Sequence, residues 1–390
     1  MAIDRIGRSP LERTLSHRTV SVVFVGCGYA SDFYGATMPN YPHLKIKGAF
    51  DIKRARATTF VKEYGGRAFD DLAEIMDDPE VDVVVNLTPV AQHASVTRAA
   101  LLAGKHVYSE KPLASTIDEA TELVELAKER SLLLSSAPST VFSQSAQTLF
   151  KAVGDGLIGT PHVAYASLDM GALAFMPYRE WRSSRGIPWP YWDEVPNGCV
   201  MEHAGYQLSW LIAMFGPVVR MAGHTSLQLA EKWHGLRDVA PDMAMGFLEF
   251  ANGTVCRLSI GWVAPADLSL TVVGDEGTLS VADVWQASSA VMWRRRAMTS
   301  GKTNAYLAEP EPLPFVSPPT RHRYTDTHDL TVGAGIADLG TALSEEAQPF
   351  LSPDFCLHVL DVSFRLAAGR GVMEELTIPR SDDVKLAVKR

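Results

Sequence analysis

Apolar positions in the first part of the chain come in short continuous runs: V-S-V-V-F-V (20–25), I-K-G-A-F (46–50), V-D-V-V-V-N-L (81–87), H-V-Y-S (106–109) and L-L-L-S-S (132–136). Runs of this length, rich in β-branched or apolar residues, predict strands. Helical patterns occupy the intervals near 30–39, 53–64, 70–77, 91–103 and 116–129. Strand and helix in alternation predict right-handed crossovers and a parallel sheet covered on both faces.

After about residue 140 the pattern changes. A helix over 143–154 ends in a Gly-rich turn, and Pro, Trp and Tyr crowd 177–196. D-M-A-M-G-F-L-E-F and T-V-C-R-L-S-I-G-W flank Asn252–Gly253, which predicts a long hairpin. L-S-L-T-V-V-G-D-E-G-T-L-S-V predicts another, turning at Asp275–Gly277. The stretch 295–325, rich in Pro, Ser and Thr and without a period, reads as a surface loop, and a last helix is expected over 354–369. Antiparallel strands after one helical layer predict an α+β second half. No internal repeat is found.

Composition narrows the function. A length of 390 residues suits two domains, and 46% apolar with 21% charged residues is ordinary for a globular protein. A formal charge of −9 speaks against nucleic-acid or anionic-membrane partners, which call for a basic surface. Arg294–Arg295–Arg296 forms a local basic cluster, read as a solvated strand end. Cys27, Cys199, Cys256 and Cys356 are scattered without metal spacing, which fits free thiols in a reducing cytoplasm and no metal site. Residues 1–18 are polar and charged, so they read as a surface extension, and no stretch has the ~20 apolar residues of a membrane span.

Chemistry enters at V-V-F-V-G-C-G-Y-A-S (22–31). Gly26 and Gly28 follow a predicted strand and open a helix beginning near Tyr29 and Ala30. Glycine there permits a tight turn and close approach to a pyrophosphate, while the helix N-terminus supplies N–H donors. The third motif position is Ser31 instead of Gly or Ala. The next strand ends at Asp51, where a carboxylate binds ribose hydroxyls and repels a 2′-phosphate. NAD is therefore the expected cofactor, with NADP as the alternative because Lys53 and Arg54 follow at once.

The segment C-V-M-E-H-A-G-Y-Q-L-S-W (199–210) carries three proton-handling side chains. On a helix over 199–216, Met201, Ala204, Leu208, Leu211, Ile212 and Phe215 form the core stripe. Glu202 and Tyr206, four apart, share another side with Ser209. His203 points to the opposite flank with Gln207.

Several pieces together resemble one family. They are F-V-G-C-G-Y-A-S, F-D-I-K-R-A-R-A, N-L-T-P-V-A-Q-H, A-G-K-H-V-Y-S-E-K-P-L-A, E-W-R (180–182), F-A-N-G-T-V (250–255) and V-V-G-D-E-G-T-L (272–279). They resemble the glucose-fructose oxidoreductase / inositol dehydrogenase / rhizopine-catabolism (Gfo/Idh/MocA) family, E-K-P after A-G-K-H-V being the most specific. The resemblance implies a Rossmann domain (19–140) and a domain on an open, largely antiparallel sheet (141–375), the latter for substrate and oligomerisation. An extension (1–18) and a tail (376–390) flank them. It further implies pairing through that sheet into homodimers or homotetramers. Thr88, Pro89 and His93 are expected to line the cofactor cleft. Glu110 and Lys111 fall at a strand's end, where ligands of open α/β sheets gather, and by analogy Lys111–Pro112 is cis.

Many members read D-x-G-x-H where this chain has Glu202 and Tyr206, so His203 is not the family histidine. Some relatives acting on sugars carry tyrosine there. The implied activity is an NAD(P)-dependent interconversion of a secondary alcohol and a ketone on a sugar, cyclitol or sugar derivative. Tyr206 is expected as acid/base, Lys111 as its electrostatic partner, with a pKa-lowering effect on the phenol, and Glu202 as the orienting group. Two alternatives stay open: retained NAD used for transient oxidation in elimination, glycoside cleavage or epimerisation, and a non-catalytic dinucleotide-binding regulator. M-P-Y-R-E-W-R-S-S-R-G-I-P-W-P-Y-W-D-E (176–194) suits a polyhydroxylated small molecule, with Tyr178, Trp181 and Arg182 as first contacts. The competing reading of this stretch is a packed loop at a domain or subunit interface.

Overall fold

The computed structural model of the chain describes residues 19–233, 235–236, 238–297, 307–319, 329–377 and 387. The expected N-terminal extension, part of the 295–325 loop and most of the tail lie outside them.

The first sheet joins β1 (Val20–Val25), β2 (Leu44–Phe50), β3 (Arg67–Ala68), β4 (Val83–Asn86), β5 (His106–Ser109) and β6 (Leu134–Ser136), all neighbours parallel, in the order 3-2-1-4-5-6. Val22, Val23, Phe24, Val83, Val84 and Val85 are fully buried, which is why these strands read as continuous apolar runs. Helices α1 (Ser31–Thr37), α2 (Arg54–Tyr64), α3 (Leu72–Asp77), α4 (Val90–Leu102) and α5 (Ile117–Glu129) connect them. Asp71 and Thr116 cap α3 and α5 by accepting the backbone N–H three residues on. Strand order reverses between β1 and β4, the place where ligands of such sheets sit.

The second sheet has the order β14-β13-β12-β11-β7-β10-β9-β8-β15. Its strands are β7 (Pro161–Asp169), β8 (Val218–Ser226), β9 (Met243–Phe250), β10 (Val255–Gly261), β11 (Leu270–Gly274), β12 (Gly277–Val281), β13 (Val291–Arg295), β14 (Glu311–Pro312) and β15 (Glu374–Glu375). Among the described pairs only β7–β10 is parallel. Helices α6 (Gln144–Gly154), α7 (Tyr191–Phe215), α8 (Ala334–Ser344) and α9 (Pro353–Ala368) complete the fold. On the sheet's open face Tyr165, Met245 and Phe247 are 42%, 54% and 41% exposed, and the Arg257 guanidinium lies 4.9 Å from the Tyr165 ring centre.

Three differences from the sequence reading have physical causes. The helix expected from Cys199 begins at Tyr191 and is interrupted at Gly198, whose φ of 83° breaks it into two segments. The later segment has no solvent face: Glu202, Gln207 and Ser209 are buried along with the apolar stripe. Helix α8 has no counterpart in the sequence reading, and it carries Gly335 and Gly340 within it. They serve close packing, since a Cβ on Gly335 would lie 2.5 Å from the Tyr108 ring. The described part of 295–325 includes β14, which pairs with β13.

Candidate active site

The loop after β1 is shaped by its glycines. Gly26 has φ +95°, and a Cβ there would come within 2.5 Å of the Leu87 carbonyl oxygen, so the crossing of β1 and β4 admits only glycine. At Gly28 nothing lies within 4 Å of the Cβ position, leaving open space above the loop. Asp51 fixes the loop by accepting from Cys27 N (2.9 Å) and Lys53 N (2.7 Å). Ser31, fully buried, donates to the Gly28 carbonyl at 2.6 Å. Tyr29 is half-buried against Phe33, with Ala30 at the helix N-cap. Lys53 is exposed, while Arg54 pairs with Asp70. These features fit a dinucleotide whose pyrophosphate crosses the loop and whose ribose reaches Asp51.

The loops after β4 and β5 are joined beneath the cleft. Thr88 Oγ1 donates to Asn86 Oδ1 at 2.7 Å, and Pro89 is the exposed N-cap of α4. His93 is buried and does not face the cleft. Its ring nitrogens sit 2.6 Å from the Pro112 carbonyl and 2.8 Å from the Thr88 carbonyl, making it a brace between the two loops. The Lys111–Pro112 bond is cis, in accord with the resemblance. Glu110 accepts from Tyr34 Oη at 2.7 Å and from the Lys111 backbone N–H at 2.8 Å.

Lys111 reaches across to α7. Its Nζ lies 2.5 Å from Glu202 Oε2, with Glu202 2% and Lys111 20% exposed, and Asn197 Nδ2 donates to the other Glu202 oxygen at 3.1 Å. Burial by itself pulls the lysine's pKa down. The fields of Glu202, Tyr206, Glu194 and Glu110 outweigh it and hold the ammonium above the usual lysine range. Glu194 is pushed up to about 8, first by burial and then by Glu202, against the opposing pull of Lys111 and a hydrogen bond from Trp189. The Tyr206 phenol is raised above its ordinary value by burial. Lys111 lowers it, as expected, but Glu110, Glu202 and Glu194 add to the rise, so the phenol keeps its proton. Lys111, Glu202 and Tyr206 all line one cavity of about 30 Å³, together with Pro138 and Val359. That volume holds one or two waters and not a sugar ring; all three residues border it.

The opposite flank of α7 faces the second sheet. Gln207 Nε2 donates to the Ser167 and Ser269 carbonyls, and His203 Nδ1 accepts from Trp262 Nε1 at 2.9 Å. His203 therefore turns toward the second sheet and away from the Lys111–Glu202 pair. Trp285 packs edge-on against both His203 (5.2 Å) and Tyr206 (5.3 Å), so the phenol is held by an indole that sequence reasoning did not single out. Asn197 and Glu194 were also missed. They precede the break at Gly198 and reach the site only because the chain bends there.

In the strap 176–194, Tyr178 is buried among Trp189, Tyr191 and Trp233, and Trp181 packs on Trp189. Arg182 is exposed and turns its Nη1 back to the Arg179 and Trp181 carbonyls. The arginine of this strap that enters the nucleotide-binding half is Arg185, which pairs with buried Asp32.

Comparisons with known proteins agree with the fold. The family model described as "Oxidoreductase family, NAD-binding Rossmann fold" matches residues 20–137, and the "GFO/IDH/MocA C-terminal domain" matches 146–280. An uncharacterized oxidoreductase of Synechocystis sp. is 25% identical over 269 residues, 67% of this chain and 71% of that protein. Myo-inositol 2-dehydrogenase of Thermotoga maritima is 30% identical over 140 residues, 36% of this chain and 42% of its own. Among solved structures, the aldose-aldose oxidoreductase of Caulobacter crescentus, complexed with glycerol, shares the fold. Its TM-score is 0.74 at 20% identity, over 92% of this chain and 100% of that one.

Proposed function

Because the chain belongs to the Gfo/Idh/MocA family of NAD(P)-dependent oxidoreductases, we propose that it interconverts a secondary hydroxyl and a ketone on a sugar or cyclitol, with Tyr206 and Lys111 acting on the same oxygen. The observation that carries this reading is the Lys111–Glu202 ion pair beside Tyr206, where the loop after β5 meets α7.

A bound nicotinamide supplies the hydride chemistry. The protein's own groups handle the proton and the charge. Lys111 has three N–H donors and uses one on Glu202, leaving two for the substrate oxygen. As a ketone is reduced, its ammonium stabilises the negative charge that builds on that oxygen. Tyr206, protonated, then delivers the proton. In the oxidative direction the proton must go to the phenolate, a form that burial disfavours at neutral pH, so the resting site is better prepared for reduction. Glu202 keeps Lys111 charged and aimed.

Asp51 supports NAD over NADP, and Ile52, 91% exposed beside it, offers an apolar surface for the adenine end. The domains of this reading are 19–140 for the dinucleotide and 141–375 for substrate and assembly. Pairing into a homodimer or homotetramer is supported by the apolar open face around Tyr165, Met245 and Phe247. The four cysteines are buried free thiols, in keeping with a cytoplasmic protein, and among the described residues no helix is long and apolar enough to cross a membrane. The test is to identify nucleotide that co-purifies, then follow nicotinamide absorbance across a panel of sugars, cyclitols and their keto forms. Turnover on members of that panel is the expected result, and bound NAD(H) without turnover on any of them would overturn the reading.

A further inference from the structure

The strap of the second half ends in a contact that the proposed chemistry does not use. Arg185 sends its Nη2 to Ser31 Oγ (2.7 Å) and to the Cys27 carbonyl (3.4 Å), and its Nη1 to the Arg56 carbonyl (3.2 Å) and Thr59 Oγ1 (3.4 Å). Its Nε pairs with Asp32 Oδ1, and its backbone N–H donates to Asp32 Oδ2 at 3.0 Å. The guanidinium lies 5.2 Å from the Phe60 ring centre and 6.0 Å from that of Tyr64. Both charges are buried, with side-chain exposures of 8% and 2%.

The partners are atoms of the nucleotide loop itself. Ser31 accepts from Arg185 and donates to the Gly28 carbonyl, so a continuous line runs from the second half's strap to the peptide on which a pyrophosphate would rest. A Gly or Ala at that third motif position has no hydroxyl and breaks the line. The serine that departs from the motif is thus what connects the arginine to the loop.

We propose that Arg185 is a positioning residue for the dinucleotide, acting through Ser31 to hold the Gly26–Ser31 loop in its binding shape from the neighbouring half and so to slow cofactor release. The inference rests on the NAD(H) binding of the proposed function. Its chemistry is electrostatic and planar. A guanidinium fork satisfies a carboxylate, a hydroxyl and backbone carbonyls at once, which a lysine ammonium cannot do from one point. Hydrogen bonds to charged groups are the stronger class.

The test compares wild type with Ser31→Ala, Arg185→Lys and the double variant. Ser31→Ala restores the ordinary motif and leaves no charge unpaired, and Arg185→Lys keeps a cation beside Asp32. NADH affinity and dissociation rate are read by fluorescence well below the melting temperature, with kcat and substrate KM alongside. The expected result is NADH release faster by about ten-fold in each single variant, the scale of one lost hydrogen bond to a charged group. The double variant should lose less than the product of the single losses, because both changes break the Ser31 link. kcat measured at saturating cofactor should change less than cofactor affinity. Release within two-fold of wild type in the folded variants, or losses that multiply, would overturn the inference while leaving the proposed function standing. A wild type that binds no dinucleotide would remove both.

Discussion

Glu202→Gln isolates the ion pair on which the site is organised. The substitution keeps side-chain shape, and Asn197 can turn its amide to meet either end of the new one, so the loss is chiefly the charge. In the native site Lys111 Nζ and Glu202 Oε2 are 2.5 Å apart with the carboxylate 2% exposed. Two unit charges about 4 Å apart at an effective dielectric of about 20 attract by about 4 kcal/mol. Removing one partner of a buried pair typically destabilises by about 3–5 kcal/mol, and the partial exposure of Lys111 places this case near the lower end, about 3 kcal/mol. The Lys111 pKa should fall, because the strongest field holding its ammonium is gone while its burial remains. A double-mutant cycle with Lys111→Met, read by thermal unfolding, checks the reasoning. The double variant should recover more than about 1 kcal/mol relative to the sum of the single losses, since no lone charge remains buried. Strict additivity, within about 0.5 kcal/mol, would show that the two groups do not depend on each other.

Other outcomes follow from the same geometry. Glu194, with its carboxyl pushed up to about 8, holds a proton that the unfolded chain has released above about 4.5. The folded state then binds more protons, so this contribution to stability is fully present below about pH 4.5 and is lost as pH rises to about 8, by at most about 1.4 kcal/mol per pH unit. Glu194→Gln mimics the neutral carboxyl. Its melting temperature should gain on wild type between pH 5.5 and 8, and the ionisation near pH 8 in kcat/KM should vanish; profiles that stay superimposable would refute the assignment. Asp51→Ala removes the acceptor for two backbone N–H groups as well as the proposed ribose contact, so NAD affinity should fall about ten-fold or more while NADP affinity falls less. Equal losses in binding titrations with the two dinucleotides would contradict the ribose role.

Five of the six parallel strands were readable because each centres on a short, largely apolar run between helical patterns; β3, the two residues Arg67–Ala68, carries no such run. The active-site helix was half readable. Spacing separates Glu202 from His203, and Glu202 meets Lys111 while His203 meets Trp262; Tyr206, three residues after His203, shares the Trp285 ring with it, so those two are neighbours. Burial of its polar side was not visible, because a helix enclosed all round carries no sign of which neighbour covers each face. Arg179, Arg182 and Arg185 recur every three residues and look alike in sequence. Only the fold shows that the last one meets Asp32, while Arg182 folds back on its own loop. Glu194 and Asn197 depend on the bend at Gly198, and Trp285 on a contact between segments far apart in the chain.

The central claim is that a protonated phenol and an ammonium act on one carbon–oxygen bond. Single-turnover reduction of a keto-sugar by enzyme preloaded with NADH, comparing wild type with Tyr206→Phe, tests it most directly. The phenyl ring preserves the packing on Trp285, so NADH affinity should stay within about two-fold while the rate falls by about 10²–10⁴. A Phe variant that turns over at the wild-type rate with its cofactor bound would contradict the account.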